Sequence, residues 1–304
     1  MNIQVIKTAQ GPIETAIVGE GPAVLVVPGC PGGYDQGLMA ARLARGHNFK
    51  FIALSRPGYF GTPLSVGATP ELQADAYAAL LDALDIPKAA IIGISGGGPS
   101  ALQFALRHPK RCWALTTVSA ISQRLTEAEI RYCKSLLRRL LFTAGVMSGI
   151  ARNFISLTAQ RYHGVFSSWI PSYQVSDAKA FYHQENLDFF LRLMRSIKMA
   201  SRQKDGLQND AIQLAAIPAY PLEKIAAPTL VLHGGGDRLI PLYHARLIAN
   251  KIPKAKLVAV KKGGHLFFAT HRQHVIPAVI DFLKHSARKV VYGNHESPTQ
   301  AAVL

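Results

Sequence analysis

The chain has 304 residues, which is enough for one α/β domain with an insertion, and its 49% hydrophobic content excludes an intrinsically disordered protein. A formal net charge of +16 at pH 7 predicts a basic surface that attracts anions. The three cysteines lack metal-ligand spacing, which argues against a disulfide framework or a zinc site. Because no secretory signal is recognisable at the start, we expect a reducing, cytoplasmic compartment.

The first part of the chain alternates strands with helices. Residues 3–8 and 13–19 are separated only by a short turn, which predicts an antiparallel pair. Thr69 and Pro70 then begin a helix predicted to reach about Ile86, and a helix is predicted at 101–107. The other apolar runs that indicate strands are 23–27, 49–54, 89–92, 112–118, 228–233 and 255–260. This alternation predicts a mostly parallel sheet with helices on both faces.

Helical periodicity replaces the strand pattern between residue 119 and about residue 220. Thr126 and Glu129 have the spacing of a capping box, which predicts a helix beginning there. Further helices are predicted at 150–161 and 177–199. We therefore predict a core of residues 1–119 and 221–304, with a helical insertion at 120–220. Residues after about His285 are predicted to form a peripheral tail.

A G-x-S-x-G pentapeptide occupies residues 93–97, directly after a predicted strand and directly before a predicted helix. The glycines permit a sharp, strained turn that presents the hydroxyl of Ser95 at the end of the strand. A serine held in this way is a candidate nucleophile. The alternative interpretation is a serine with a purely structural role in the turn.

A serine hydroxyl needs a base, a carboxylate that orients the base, and donors for the developing oxyanion. Asp237 lies in a glycine-rich loop after the strand at 228–233, and His265 lies in a second glycine-rich loop after the strand at 255–260. Alone, Asp237 would be interpreted as an Asx turn or a helix cap. The order Ser95, Asp237, His265, with each residue just past a separate strand, is the order found in α/β-hydrolase sheets.

On these residues the chain resembles the capped serine hydrolases of the α/β-hydrolase superfamily. The resemblance implies a mostly parallel eight-stranded sheet with helices on both faces and an inserted helical cap over the site. It assigns the two oxyanion amides to Cys30 and Gly96. Two residues depart from the family pattern: Pro28 replaces a histidine that usually precedes Gly29, and Ser55 replaces an aspartate often found before Arg-Pro-Gly. A second interpretation makes Cys30 itself a nucleophile.

The predicted mechanism is two-step acyl transfer, in which His265 deprotonates Ser95 and Asp237 orients His265. It needs no cofactor, and a serine in place of an aspartate at the elbow argues against a dehalogenase or epoxide hydrolase. The aromatic and aliphatic content of the insertion favours a carboxylic ester of a hydrophobic small molecule or lipid. The alternatives are a catalytically silent ligand-binding protein, a carbon–carbon bond hydrolase and an aminopeptidase, in which Glu185 or Asp188 would bind the substrate amine.

The basic charge leaves the question of partners open. Basic residues are spread along the chain without a recognised motif, so we predict no specific nucleic-acid partner. Residues 134–157 mix basic and apolar residues at helical spacing, which is typical of cap helices over a pocket and, alternatively, of weak association with an anionic membrane surface. No stretch is long and apolar enough to cross a bilayer, and the sequence does not determine the oligomeric state.

Overall fold

The protein is described from a computed structural model, which covers residues 2–43, 46–135, 138 and 184–291. The predicted helix at 150–161, the first part of the one at 177–199, most of the basic segment 134–157 and residues 292–304 lie outside this range.

The strands are β1 (Asn2–Thr8), β2 (Gly11–Val18), β3 (Ala23–Val27), β4 (Lys50–Leu54), β5 (Ala89–Ile94), β6 (Cys112–Val118), β7 (Thr229–Gly234) and β8 (Ala255–Val260). They form one eight-stranded sheet with the order β1-β2-β4-β3-β5-β6-β7-β8. The β1–β2 and β2–β4 pairs are antiparallel and every other pair is parallel, so the predicted mostly parallel sheet with an antiparallel entry is confirmed.

Helices cover both faces of the sheet, as predicted. The labelled helices are α1 (Tyr34–Leu43), α2 (Pro70–Ala83), α3 (Gly98–Arg107), α4 (Gln184–Ala200), α5 (Lys204–Ala215), α6 (Tyr243–Lys251), α7 (Phe267–Thr270) and α8 (Arg272–Val291), and a further helix begins at residue 127. On β3, Leu25 and Val27 belong to a core shared with α2, α3 and α6, whereas Val24 and Val26 belong to a core shared with α1 and α8. This alternation follows from the two-residue period of a strand that is buried on both sides.

Two helix starts follow the predicted capping chemistry. The Leu72 amide donates to Thr69 Oγ1 at 3.3 Å. In the capping box the Glu129 amide donates to Thr126 Oγ1 at 3.3 Å, and the Thr126 amide donates to Glu129 Oε2 at 2.7 Å. Helix α2 ends earlier than predicted, because Asp85 adopts a left-handed conformation with φ of 54° before Ile86.

The end of the chain differs from its prediction. Helix α8 continues past His285 to Val291, so the prediction of a peripheral tail was wrong for residues 286–291. Its apolar positions explain the difference, since Val275, Ile280, Leu283 and Ala287 are buried against the sheet.

The connection from β6 to β7 contains α4 and α5, but the predicted limits of the core and the insertion stay a prediction. Among the described residues, no helix combines the length and apolar character needed to cross a membrane.

The strand order places the loops after β3 and β5 side by side. The chain passes from β3 to β4 on one side, while β5 pairs with the other side of β3. Val27 at the end of β3 therefore lies beside Gly93 near the end of β5. Ligands of open α/β sheets bind at this kind of reversal, outside the carboxyl ends of the strands.

Candidate active site

Ser95 lies on a strained turn between β5 and α3. Its φ is +49°, a left-handed value that is uncommon for residues other than glycine, and it begins a single 3₁₀ turn, Ser95–Gly97. The turn presents the Ser95 hydroxyl at the carboxyl edge of the sheet. The geometry is the sharp strand–turn–helix connection predicted from the pentapeptide.

Asp237 and His265 lie next to Ser95 although they come from distant parts of the chain. His265 Nε2 is 3.1 Å from Ser95 Oγ, and His265 Nδ1 is 2.8 Å from Asp237 Oδ2. The Asp237 side chain is fully buried, while 13% of the His265 side chain remains exposed. The three residues selected from the sequence therefore form one continuous chain of hydrogen bonds.

The direction of the hydrogen bond between His265 and Asp237 follows from the electrostatics of Asp237. Burial by itself raises the pKa of Asp237, but the nearby His265, the hydrogen bond from it and the Ile240 amide outweigh burial, so the pKa is lowered. An ionised carboxylate only accepts hydrogen bonds, so Nδ1–H of His265 donates to Asp237. In the neutral imidazole, Nε2 then accepts from the Ser95 hydroxyl, which is the arrangement that a general base requires.

Asp237 also makes the Asx turn that was the alternative interpretation of this residue. Its Oδ1 accepts hydrogen bonds from the Leu239 amide at 2.9 Å and from the Ile240 amide at 3.0 Å. The two interpretations are compatible because each uses a different carboxylate oxygen. The turn holds Oδ2 in place for His265.

Sequence reasoning missed a second histidine beside Asp237. His233 on β7 is fully buried; its Nε2 donates to the Ile240 carbonyl at 2.8 Å and lies 3.7 Å from Asp237 Oδ2. Burial lowers the pKa of His233, so the ring is neutral and supports the Asp237 loop. Its position at the end of an apolar strand was the signal for burial, and nothing local in the sequence indicated its partner.

The loop assigned to the oxyanion donors lies against the turn that contains Ser95. A methyl group on Gly96 would lie 2.8 Å from Cys30 Cβ and 3.2 Å from Cys30 N, and one on Gly29 would lie 3.2 Å from Ser95 Cβ. Cys30 and Gly96 are therefore neighbours beside Ser95, and their role as oxyanion donors stays a prediction. Cys30 is exposed and lines the cavity, but desolvation of its thiol and the nearby Asp210 carboxylate raise the pKa of that thiol, which argues against Cys30 as a second nucleophile.

Ser55, which replaces an aspartate of the family pattern, is hydrogen-bonded to a carboxylate on β2. Ser55 Oγ donates to Glu14 Oε2 at 2.7 Å and accepts from the Tyr34 amide at 3.1 Å. The Gly61 amide also donates to Glu14 Oε2, at 3.2 Å. Ser55 and Glu14 together thus provide a hydrogen-bonded carboxylate at the end of β4.

A buried ion pair between Arg56 and Asp210 was not predicted. Both residues are 2% exposed, Arg56 Nη2 contacts Asp210 Oδ1, and Arg56 Nη1 is 3.2 Å from Asp210 Oδ2. Tyr59 Oη donates to Asp210 Oδ2 at 2.6 Å. The local signals at Arg56 were its position two residues after an apolar strand and the Arg-Pro-Gly pattern, and neither indicated Asp210 as its partner.

A cavity of about 250 Å³ opens above Ser95 and His265. Apolar residues dominate the described lining, and those that α4 and α5 contribute include Phe190, Leu193, Met194, Ile197, Leu207 and Leu214. The charged residues in that lining, besides His265, are Lys134 and Asp210. Glu185 and Asp188, named above as acids for a substrate amine, do not belong to it. Among the described residues, no three His, Cys, Asp or Glu side chains are grouped to hold a metal ion.

Comparison with known proteins gives matches over most of the chain. The uncharacterized hydrolase YcgS of Bacillus subtilis (strain 168) is 29% identical over 273 residues, which cover 88% of this chain and 92% of that protein. The poly(3-hydroxyalkanoate) depolymerase of Ectopseudomonas oleovorans is 28% identical over 249 residues, covering 80% of this chain and 78% of that protein.

Among solved structures, an α/β-hydrolase fold protein from Nakamurella multipartita superposes with a TM-score of 0.76 at 34% identity, covering 93% of this chain and 99% of that chain. A family model described as the alpha/beta hydrolase fold matches residues 22–272. Together with the eight-stranded sheet, these matches show that the chain belongs to the α/β-hydrolase superfamily.

Proposed function

We propose that the protein is a serine hydrolase that cleaves carboxylic esters of hydrophobic small molecules or lipids. The observation that supports this most is the hydrogen-bonded chain from Ser95 through His265 to Asp237, at the mouth of an apolar cavity. A binding protein without activity would not need all three residues in this geometry. The same three hydrogen-bonded residues also suit hydrolysis of amides or of activated carbon–carbon bonds. The choice of an ester therefore rests on the apolar lining of the cavity.

In the proposed reaction, Ser95 Oγ attacks the ester carbonyl carbon while its proton moves to His265 Nε2. The carbonyl oxygen becomes an oxyanion that accepts hydrogen bonds from the Cys30 and Gly96 amides. The intermediate collapses when His265 protonates the leaving alcohol, which produces an acyl-serine. Water then attacks the acyl-serine while its proton moves to His265 Nε2, and His265 returns this proton to Ser95 Oγ as the acid is released. Asp237 stabilises the imidazolium that forms in each step.

The apolar lining of the cavity favours a substrate with a hydrophobic acyl or alkoxy group. Burying apolar substrate surface against Leu and Phe side chains is favourable by roughly 25 cal/mol per Å². The carboxylate in the described lining, Asp210, is already paired with Arg56, which disfavours a role in binding a substrate amine. The name of the depolymerase relative, which refers to a polyhydroxyalkanoate substrate, is compatible with an ester but does not identify the substrate here.

Hydrolysis of a p-nitrophenyl ester series from acetate to dodecanoate tests this proposal, with Ser95→Ala as the inactive reference. We expect turnover that depends on Ser95 and a kcat/KM that rises from the acetate toward longer chains. A folded wild-type protein that hydrolyses none of these esters would contradict the ester assignment. Matched amide and diketone substrates then distinguish an amide hydrolase or a carbon–carbon bond hydrolase from a catalytically silent protein.

A pair of adjacent substitutions on α5 tests the role of the cavity. Ala211 lines the cavity, whereas Ile212 beside it is 63% exposed to solvent. We expect Ala211→Phe to lower kcat/KM for the long-chain esters about tenfold more than it lowers kcat/KM for the acetate. The reason is that the added benzyl group fills cavity space that a long acyl group would occupy. Ile212→Phe is the matched control and should change kcat/KM for neither the short nor the long ester. Equal effects of Ala211→Phe on short and long chains would contradict the assignment.

A further inference from the structure

The Arg56–Asp210 pair lies directly against the loop assigned to the oxyanion. Arg56 follows β4, and its Nη1 donates to the Gly29 carbonyl at 3.4 Å in addition to its contacts with Asp210. Burial works to lower the pKa of Arg56, but the Asp210 carboxylate outweighs it and raises the pKa, so the guanidinium is cationic. The Gly29 carbonyl therefore accepts a charge-assisted hydrogen bond in a buried setting.

Stability alone is a weak explanation for this pair. Desolvating two charges costs several kcal/mol per ion, and well-packed apolar residues in place of a buried pair are often as stable. The chain already contains an exposed counterpart, in which Arg107 Nε and Nη2 donate to the two Asp75 oxygens at 2.9 and 2.7 Å. What distinguishes Arg56 is the additional bond to Gly29.

The Gly29 carbonyl and the Cys30 amide are the two ends of one planar peptide group. A cationic donor on the carbonyl polarises that group, strengthens the N–H at its other end as a donor, and fixes the orientation of the peptide plane. Cys30 N is also the atom that lies close to Gly96 beside Ser95. Arg56 is thus connected through one peptide group to the predicted oxyanion position.

Helix α5 holds the counterion Asp210 in place. A methyl group on Gly206 would lie 2.7 Å from the Gly58 carbonyl oxygen, which shows how closely the two backbones approach. Asn209 Nδ2 donates to the Ala68 carbonyl at 2.7 Å. The helix that lines the cavity with Leu207 and Leu214 therefore also fixes the partner of Arg56.

From these contacts we infer that Arg56, held by Asp210, is a positioning residue that orients and polarises the Gly29–Cys30 peptide as an oxyanion donor. The inference rests on the proposed function, since it assumes that Ser95 generates an oxyanion. Asp210 neutralises the charge of Arg56, so the effect reaches the substrate through the peptide rather than through a long-range field. The polarised Gly29–Cys30 peptide stabilises the tetrahedral intermediate more than the trigonal ground state.

Two ketones with the same aliphatic chain test this inference. A trifluoromethyl ketone adds Ser95 Oγ to its carbonyl carbon, with the serine proton passing to His265, and so forms a tetrahedral oxyanion. The corresponding methyl ketone stays trigonal and reports ground-state binding. Affinities of both are measured by isothermal titration for wild type, Arg56→Lys and Arg107→Lys. Lysine keeps the charge beside Asp210 but lacks the planar fork that reaches both Asp210 and Gly29.

We expect Arg56→Lys to weaken the trifluoromethyl ketone about tenfold or more, with the methyl ketone changing by less than about threefold. Arg107→Lys should change neither affinity. Equal losses for both ketones, or no loss, in folded Arg56→Lys would overturn the inference while leaving the proposed function intact. If wild type forms no adduct with the trifluoromethyl ketone, the proposed function and the inference both fail.

Arg56→Lys is checked for folding by circular dichroism and thermal unfolding. If it does not fold, the double variant Arg56→Gln/Asp210→Asn replaces it, because removing both charges leaves no unpaired ion in the interior. The same two affinities and the same criteria then apply.

Discussion

Asp237 Oδ2 lies 2.8 Å from His265 Nδ1, while the other oxygen of the same carboxylate is occupied by amides of its own loop. The two oxygens therefore have separate tasks: Oδ1 maintains the loop and Oδ2 sets the tautomer of His265. This separation makes the catalytic contribution of Asp237 measurable with little structural change.

Replacing Asp237 with asparagine should leave the fold intact and remove most of the activity. The Asn carbonyl oxygen can accept the Leu239 and Ile240 amides, but its NH₂ group would face His265 Nδ1 and favour the wrong tautomer. We expect turnover to fall by about 10⁴-fold, the size of this effect in a well-studied serine protease triad. Ester hydrolysis and thermal unfolding are measured together, with Asp205→Asn on the surface of α5 as the control. Turnover near that of wild type would exclude Asp237 from the reaction.

A methyl group at Gly96 should disturb the predicted oxyanion donors. It would lie 2.8 Å from Cys30 Cβ, so the loop containing Cys30 must move away from Ser95. We expect Gly96→Ala to lower kcat by about 10² or more, with a smaller effect on KM, because loss of a preorganised donor acts on the transition state. Gly61→Ala is the control, since the atoms nearest its added methyl belong to the Glu14 side chain, at 3.2 to 3.3 Å. An unchanged kcat in folded Gly96→Ala would argue against the assigned donors.

The stability of the protein should decrease in mild acid because of His244. This residue on α6 is fully buried, and its Nδ1 accepts from the Ser122 amide at 3.2 Å. Burial, with a smaller contribution from His233, lowers the pKa of His244 from 6.5 to about 4, although Glu129 and Asp237 act in the opposite direction. Between these pH values the unfolded chain binds more protons than the native protein, so native stability falls as the pH falls from about 6.5 toward about 4.

At about 1.4 kcal/mol per pKa unit, His244 accounts for about 3 kcal/mol of this loss. Asparagine at this position offers an acceptor to the Ser122 amide but does not titrate. We therefore expect His244→Asn to show a shallower loss of unfolding free energy between pH 7 and pH 4.5, measured by urea denaturation, than wild type. Parallel curves for the two proteins would assign the acid sensitivity to other groups.

The basic charge leads to a prediction about membranes. The alternative interpretation of the basic, partly apolar segment at 134–157, in a chain with a net charge of +16, predicts weak binding to anionic phospholipid vesicles. Sedimentation with such vesicles should pellet part of the protein at low salt and little of it at high salt, and neutral vesicles should pellet little at either. Absence of pelleting with anionic vesicles at low salt would end this proposal.

The sequence predicted the strands and the three residues of the hydrogen-bonded chain because each signal was local. Ser95, Asp237 and His265 each follow an apolar run and stand among glycines, so their place at the carboxyl edge required only the order of strands and loops. The limits of α2 and α8 were less accurate, because a left-handed Asp85 and the burial of Ala287 depend on tertiary packing.

The Arg56–Asp210 pair could not be predicted in the same way. The two residues are separated by 154 positions, and neither belongs to a motif that indicates the other. Their pairing depends on how α5 is placed against the loop after β4, and the close approach of Gly58 and Gly206 shows that placement only in three dimensions. The burial of His233 and its contact with Ile240 are of the same kind.

The most direct test of the account is the intact mass of the protein after exposure to a fluorophosphonate, for wild type and Ser95→Ala side by side. An activated Ser95 predicts a single covalent adduct on wild type and none on the variant, with both proteins folded by circular dichroism. A folded wild-type protein without an adduct, or an adduct that persists in Ser95→Ala, would contradict the assignment of Ser95 as the nucleophile.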